Sequence, residues 1–461
     1  MKLIATVITL AFMVLLLRWS RERDARVSWA MLIPTVWFAI VCSRPVSEWI
    51  HLDKSANFMQ RYSESSPLDA TLYALLLVAA LLVVNRRMLR LRALLKANWP
   101  VLLFFFYTAV SVTWSDDPGV GFKRWIKSLG DLAVILVILT EEDHEAAIRR
   151  MYTVVSSVML PLSVLFILYY PSLGTNYDPI DKVTMFTGVA TFKNLLGITC
   201  MACGLAALWM LILAWQHRED PDRKRHLFVY GANLVLALGL VVRANSMTSF
   251  SAMVLGGVVL VTASFRWVHR RPAVVVTLIL VAIGIAGFAL FLDTGGEMVK
   301  ELGRNPTLTG RTTIWRAVLA QHSNPIVGEG FESFWMGNRM LSVWSMSQQG
   351  IQEAHDGYLE LYLNLGWVGI ALLGTMILTG YRYGLELYRR DAEAGCLRLA
   401  FLTAAIVFGF TEAGFRMMSP DWTGFLLGVM AIPAGLELAA QRLPALAREQ
   451  ERQRKEVRVL Y

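Results

Sequence analysis

Apolar residues fall along this chain in blocks of about 15 to 22, without the one-sided stripe of a helix that rests on a soluble core. Thirteen blocks can be marked, at residues 3–17, 29–43, 68–84, 99–114, 129–140, 151–170, 195–215, 227–242, 250–265, 273–292, 358–380, 398–412 and 421–438. In lipid every backbone N–H and C=O must find a partner within the protein, which only helices or a closed barrel achieve. Barrel strands alternate apolar and polar positions, and these blocks do not. The pattern predicts an all-α polytopic membrane helical bundle of about 12–13 transmembrane helices, a single membrane domain over 1–461 with a long loop at 293–357 that carries short helices. The first block has no small-residue cleavage site and is followed by Arg18, Arg21, Arg23 and Arg26, so it reads as a retained anchor.

Composition agrees: 56% of residues are hydrophobic and 17% charged, with no soluble domain or repeat visible. The net charge of +9 is mostly a topology signal. If the loop after the first block is cytoplasmic, then so is every second connection, and these are the basic ones: 85–96, 141–150, 216–226, 266–272, 381–398 and the tail 448–458. The N-terminus and the loops 44–67, 115–128, 171–194, 243–249, 293–357 and 413–420 then lie outside, giving thirteen spans; a cytoplasmic N-terminus gives twelve.

Cations that break this trend carry more information. Lys123, Arg124, Lys127, Lys193, Arg243, Arg304, Arg311, Arg316 and Arg416 all fall on the outer side, close to span ends. Such a set suits a membrane-anchored anion, a diphosphate above all. Ordinary solvation, or pairing with Asp116, Asp117, Glu301 or Glu412, is the plain alternative.

Seven histidines sort in the same way. His51, His322 and His355 fall outside, and His355 alone abuts a span. It precedes a helix starting near Asp356 or Gly357, whose 3.6-residue period sets Leu359 and Tyr362 below it on a face expected to point into the bundle. An imidazole there, with a near-neutral pKa, could take a proton from a hydroxyl. Simple hydrogen bonding at a helix end is the plain alternative. The four cysteines include "CMAC" (200–203) inside an apolar block with no second pair, which argues against zinc, and no acidic cluster suits magnesium. Metal ligands and cofactors are therefore expected to be none, with phosphate chemistry left to Arg and Lys.

Within the long loop, "TLTGRTTIWRAVLAQHSNP" (307–325) predicts a short helix on the membrane surface, starting at Thr309 and stopping at Asn324–Pro325, with Ile314, Trp315, Val318 and Leu319 on its apolar face and Arg311 projecting from its first turn. Phe331, Phe334, Trp335 and Trp344 are expected either to stack on sugars or to rest in the lipid interface.

"LGRNPTLTGRTTIW" (302–315), "NPIVGEGFESFW" (324–335) and "AHDGYLELYLNLGWVG" (354–369), in that order, resemble the signature of the O-antigen ligase and polysaccharide polymerase superfamily, especially its exopolysaccharide branch. "WSDDPGVGFKRW" (114–125), "TGVATFKNLLG" (187–197) and "TEAGFRMMSPDW" (411–422) extend the likeness over most of the chain. The resemblance implies a GT-C-type glycosyltransferase in the bacterial inner membrane with its site facing the periplasm. It would move a glycan from a polyprenyl diphosphate-linked oligosaccharide to a glycan or lipid A core acceptor, without metal and with inversion. The family's essential histidine falls on His355 and its loop arginine on Arg311. Lys193, Arg243, Arg124 and Arg416 are then expected on the diphosphate, with Asn194, Trp315 and Glu412 beside the substrate and Asp356 a candidate to hold the imidazole's tautomer. One departure is "RANSMTSFS" (243–251), where Met247 stands in the slot many members give to arginine. Partners would be membrane lipids and export or chain-length proteins, with no nucleic acid. A transporter of lipid-linked sugars is the competing class; it predicts repeated halves, broken helices and charges near the bilayer midplane. Here Asp131 is the main inward charge, expected at the interface.

Overall fold

The computed structural model describes residues 1–22, 26–50, 66–178, 183–293, 308–321, 323–347 and 350–433. His51, Glu301, Arg304, His322 and the basic tail lie outside the described residues. Among the described residues each of the thirteen apolar blocks contributes a helix, because an apolar run in lipid has no other way to satisfy its backbone. Beyond four-residue turns, the helices are α1 (Lys2–Trp19), α2 (Leu32–Val41), α3 (Pro67–Arg86), α4 (Met88–Ala97), α5 (Trp99–Ser111), α6 (Pro118–Leu139), α7 (His144–Tyr169), α8 (Lys193–Gln216), α9 (Arg223–Arg243), α10 (Met247–Ala263), α11 (Pro272–Asp293), α12 (Leu308–Leu319), α13 (Gly337–Met346), α14 (Gly357–Arg390), α15 (Ala392–Gly409) and α16 (Pro420–Val429). One antiparallel hairpin, Thr175–Asp178 with Val183–Phe186, sits between α7 and α8.

Among the described residues, seven helices are long and apolar enough to cross a membrane: α1, α3, α7, α8, α9, α14 and α15. The bent pair of α4 with Trp99–Trp114 makes an eighth, and Trp29–Val41, Met247–Ala263 and Pro272–Phe288 are shorter apolar helices. The two remaining blocks are α6, which carries Lys123, Arg124, Lys127 and Asp131, and α16, of which ten residues are described. α8 and α15 form the centre and α1 the rim, with Leu3, Ile4, Val7 and Ile8 turned outward where lipid would cover them. At the centre α10 crosses α15 closely enough that a side chain on Gly256 would stand 3.1 Å from the Ala400 carbonyl.

Two interruptions build the end of the bundle that holds the candidate site. α4 and α5 meet at 85°, and Asn98 at the corner donates to the Leu94 and Ala431 carbonyls while its own carbonyl accepts from Ala431 N. α14, expected to be continuous, is broken at Gly366 (φ 61°, ψ −163°). The freed groups are not left unpaired: Trp367 N and Val368 N donate to the Pro325 and Ile326 carbonyls, and the Leu363 and Asn364 carbonyls accept from Glu329 N and Gly330 N. Loop "NPIVGEG" thus fills the break. A Cβ on Gly366 would lie 2.3 Å from Ile326 backbone, so only glycine fits.

The long loop has its own small core. Ile314, Ala317 and Val318 of α12, Val343 of α13, and Phe334, Trp335, Ala354 and Leu363 are buried together, with Leu359 and Tyr362 packed against them. This corrects three expectations. α12 stops at Leu319, short of Asn324, and Ile314 and Val318 of its apolar face are covered by protein while Leu319 stays exposed. The face carrying Leu359 and Tyr362 meets the loop helices, not the bundle. Phe334 and Trp335 are core residues, and Trp344 donates to the Ile351 carbonyl. Buried Asp131 accepts from Trp37 Nε1 at 2.8 Å and from Met418 N at 2.8 Å, pinning the loop before α16. Cys42, Cys200 and Cys203 are free thiols buried in the main core.

Candidate functional site

His355 sits in the turn that leads into α14, in the left-handed region at φ 51°. Asp356 follows it as the N-cap, its carboxylate accepting from Tyr358 N and Leu359 N at 2.9 Å each. That carboxylate is therefore committed to the helix end, and the expectation that it holds the imidazole is corrected. Two other carboxylates do so: His355 Nδ1 is 3.1 Å from Glu353 Oε1 and 3.3 Å from Glu412 Oε2.

Each of those carboxylates is held from behind by an arginine. Arg311 Nη2 is 3.2 Å from Glu412 Oε1. Arg416 reaches Glu353 Oε2 at 3.5 Å and Glu332 Oε2 at 3.4 Å. Arg124 donates to the Glu332 backbone carbonyl, and Asn194 Nδ2 donates to Glu412 Oε2 at 3.2 Å. The result is a chain of alternating charge, Arg311, Glu412, His355, Glu353, Arg416 and Glu332, drawn from α12, the loops before α14 and α16, and residues 331–335. Of the outer cations, Arg311 and Arg416 pair with acids, and Glu412, named as a possible partner from sequence, is the one Arg311 takes.

This arrangement fixes the protonation of the imidazole. Burial disfavours its charge, but the hydrogen bonds and negative charge of Glu353 and Glu412 outweigh that and push its pKa up to about 10. The near-neutral value expected from sequence is corrected: at pH 7 His355 is an imidazolium. Burial alone would raise the Glu353 carboxyl; His355, then Arg416 and Arg311, instead hold it below the usual carboxylate range. Asp356 is raised by burial, against its two backbone hydrogen bonds.

Three potential ligand atoms of Glu353, His355 and Glu412 lie within 4.8 Å of one another, the spacing a metal ion would need. Their donor set is poorly suited to a dication, because Arg311 and Arg416 already lie against the outer oxygens of the same two carboxylates.

The other expected residues fall around this chain. Trp315, one turn along α12 from Arg311, donates to the Ala354 carbonyl at 2.8 Å and so fixes the backbone just before His355. Lys193 is the first residue of α8, beside Asn194, at a helix start without a side-chain cap. Arg243 is not in the chain: it lies over the Phe186 ring at 4.2 Å, on the hairpin at the same end of the bundle.

Sequence reading missed Glu353, Glu332, Glu360 and Arg339. Buried Glu360 accepts from Trp335 Nε1 at 2.7 Å and Ala354 N at 2.9 Å, tying the loop core to α14. Arg339 of α13 pairs with Asp116 at 3.0 Å and with Glu329, joining the long loop to the corner before α6. The acids at two residues before His355 and five after it were the available signal. Strain offered none: Glu332, His355, Phe415 and Met418, four of the five non-glycine residues at positive φ among those described, all gather here.

Residues 232–374 match the family model of O-antigen ligases. The matched stretch runs from α9 past the break in α14, taking in Arg243, Arg311 and His355 but neither Asn194 nor Glu412. The match supports the O-antigen ligase and polymerase superfamily, and with it a multi-pass membrane enzyme that transfers glycans. No curated protein matches the chain.

Proposed function

We propose that this chain moves a glycan from a polyprenyl diphosphate carrier to a sugar hydroxyl, as a repeat-unit polymerase in the bacterial inner membrane with its site facing the periplasm. The observation that carries this reading is the joining of His355 to Arg311 and Arg416 through Glu412 and Glu353. One group able to move a proton and two able to receive a leaving anion are thereby held in register.

In this reading the acceptor oxygen attacks the anomeric carbon from the face opposite the diphosphate, with inversion. The new C–O bond forms as the bond to the diphosphate oxygen breaks, and its electron pair leaves with phosphate. His355, after giving its own proton to solvent, takes the hydroxyl proton at Nε2. Glu353 and Glu412 on Nδ1 then stabilise the imidazolium that forms, as the acid of a catalytic triad does. Arg311 and Arg416, with Lys193 and Asn194 at the start of α8 and Arg124 behind Glu332, would meet the developing negative charge in this reading, without a metal. Arg243 would meet the carrier further along, over the hairpin.

Polymerisation is favoured by the "LTGRTTIW" wording at 308–315. Ligation to lipid A core is the second reading, favoured by the description of the matching family model. The transporter class predicted broken helices, and α14 is one; its break, however, is filled by loop backbone rather than facing an open cavity.

The deciding experiment gives detergent-purified protein a polyprenyl diphosphate oligosaccharide as its only substrate and resolves products by mass. A ladder spaced by whole repeat units, lost in His355→Ala, is the expected result. Transfer only when lipid A core is added would make the protein a ligase, and no transfer in either case would overturn glycan transfer.

A further inference from the structure

The turn that carries His355 is gripped from two sides at a single residue. Ala354, which separates Glu353 from His355, is fully buried, and both of its backbone polar groups are taken by side chains from elsewhere in the chain. Its N–H donates to Glu360 Oε2 at 2.9 Å, and its C=O accepts from Trp315 Nε1 at 2.8 Å. The first bond fixes the peptide plane between Glu353 and Ala354, and the second fixes the plane between Ala354 and His355. Trp315 comes from α12 and Glu360 from the first turn of α14, so the loop helix and the long helix hold the same residue.

Glu360 is wholly engaged inside the protein. It is 5% exposed, and its Oε1 also accepts from Trp335 Nε1 at 2.7 Å and from Asn364 Nδ2 at 3.3 Å. Its two oxygens thus serve three N–H donors of the chain itself, and any effect on the chemistry must pass through Ala354.

That effect follows from the backbone of His355. At φ 51° it lies in a region that a residue with a Cβ keeps only where its surroundings over-determine it. Releasing either peptide plane would let the chain leave that region and carry the imidazole away from its partners. The charged groups around it are Glu353 on its own loop and Glu412 before α16, with Arg311 and Arg416 behind them and Asp356 at the N-cap.

We propose that Glu360 is a positioning residue for His355, holding Ala354 against Trp315 so that Nδ1 of the imidazole meets both Glu353 and Glu412. Its importance to catalysis rests on the glycan-transfer reading, but its test needs no turnover.

The detergent-purified full chain, labelled with carbon-13 at histidine Cε1, carries seven labelled rings, and His355→Gln identifies the signal to follow. In the wild type that signal should titrate near pH 10. Glu360→Gln keeps the size of the side chain but leaves one oxygen for three N–H donors. The midpoint should then fall by about one to two units, the effect of losing one carboxylate from Nδ1. Trp315→Phe frees the other peptide plane from a different helix; it should lower the midpoint too, and it decides the matter should the first variant fold poorly. Arg339→Ala loosens the same loop at its contacts with Asp116 and Glu329, and should lower the melting temperature while leaving the midpoint in place. A wild-type signal already titrating at the ordinary histidine value would overturn the positioning role. So would an unmoved midpoint in folded Glu360→Gln, or in Trp315→Phe where that variant does not fold, and so would an equal shift in Arg339→Ala. The titration decides this whether or not the wild type transfers glycan, so failure of the positioning role is told apart from failure of the glycan-transfer reading.

Discussion

Replacing Glu412 by glutamine probes the charge chain at its centre. The substitution keeps shape and the hydrogen bonding to Asn194 but removes one of the two negative charges on His355 Nδ1. A hydrogen bond to a charged group contributes about 1.5–3 kcal/mol. At about 1.4 kcal/mol per pKa unit, losing one should lower the histidine from about 10 to about 8–9. If His355 is the base, kcat/KM of the wild type should rise about tenfold per pH unit through neutrality, because only about one molecule in a thousand carries a neutral imidazole at pH 7. In Glu412→Gln the same limb should lie about one to two units lower. The assay is the mass-resolved transfer reaction, run from pH 6 to as high as the donor survives. Position of the limb is the readout, since loosening Arg311 lowers the whole curve. A wild-type limb near the ordinary histidine value, or one that Glu412→Gln leaves in place, would refute the argument that two carboxylates govern this imidazole.

Other consequences follow from the same geometry. Arg311→Ala should lower kcat on the order of a hundredfold or more while the protein stays folded, because a donor aimed at a leaving anion is worth roughly 3 kcal/mol; a near-wild-type rate would remove Arg311 from the leaving-group site. Gly366→Ala should lower the melting temperature in detergent, since φ 61° with ψ −163° is a glycine-only conformation that costs a side chain about 1–3 kcal/mol even before the clash with Ile326. Gly284→Ala in α11, where a Cβ meets nothing within 4 Å, should not lower it, because alanine is the better helix former. Stability should also depend on pH through His355. Its pKa is about 6.5 unfolded and about 10 folded, so its contribution is complete below pH 6.5 and is lost as pH rises through 10. The fall in melting temperature between pH 7 and 10 should therefore shrink in His355→Gln.

Much of the molecule was legible in the chain itself, and the reason is the solvent. An apolar run in lipid can only be a helix, so thirteen blocks gave thirteen helices without knowledge of their neighbours. The same reading brought His355, Arg311, Asn194, Glu412, Arg416 and Trp315 forward as residue types, and the fold places them together. What it could not give was who holds whom. Arg311 and Glu412 are 101 residues apart, and His355 and Glu412 57 apart; no local pattern links them.

Where sequence reasoning failed, a distant partner had overridden a local rule. Asp356 looked available to the imidazole, but two backbone N–H groups claim it. His355 looked neutral because a free imidazole is, until tertiary packing sets two carboxylates on one nitrogen. α14 looked continuous because its apolar period is unbroken; only the arrival of 325–330 supplies hydrogen bonds that make a break at Gly366 affordable. Sequence alone therefore determined which segments form apolar helices and which polar residues stand out near their ends. The tertiary structure decided the charge state of the histidine and the register of the loop, because each depends on contacts between segments far apart along the chain.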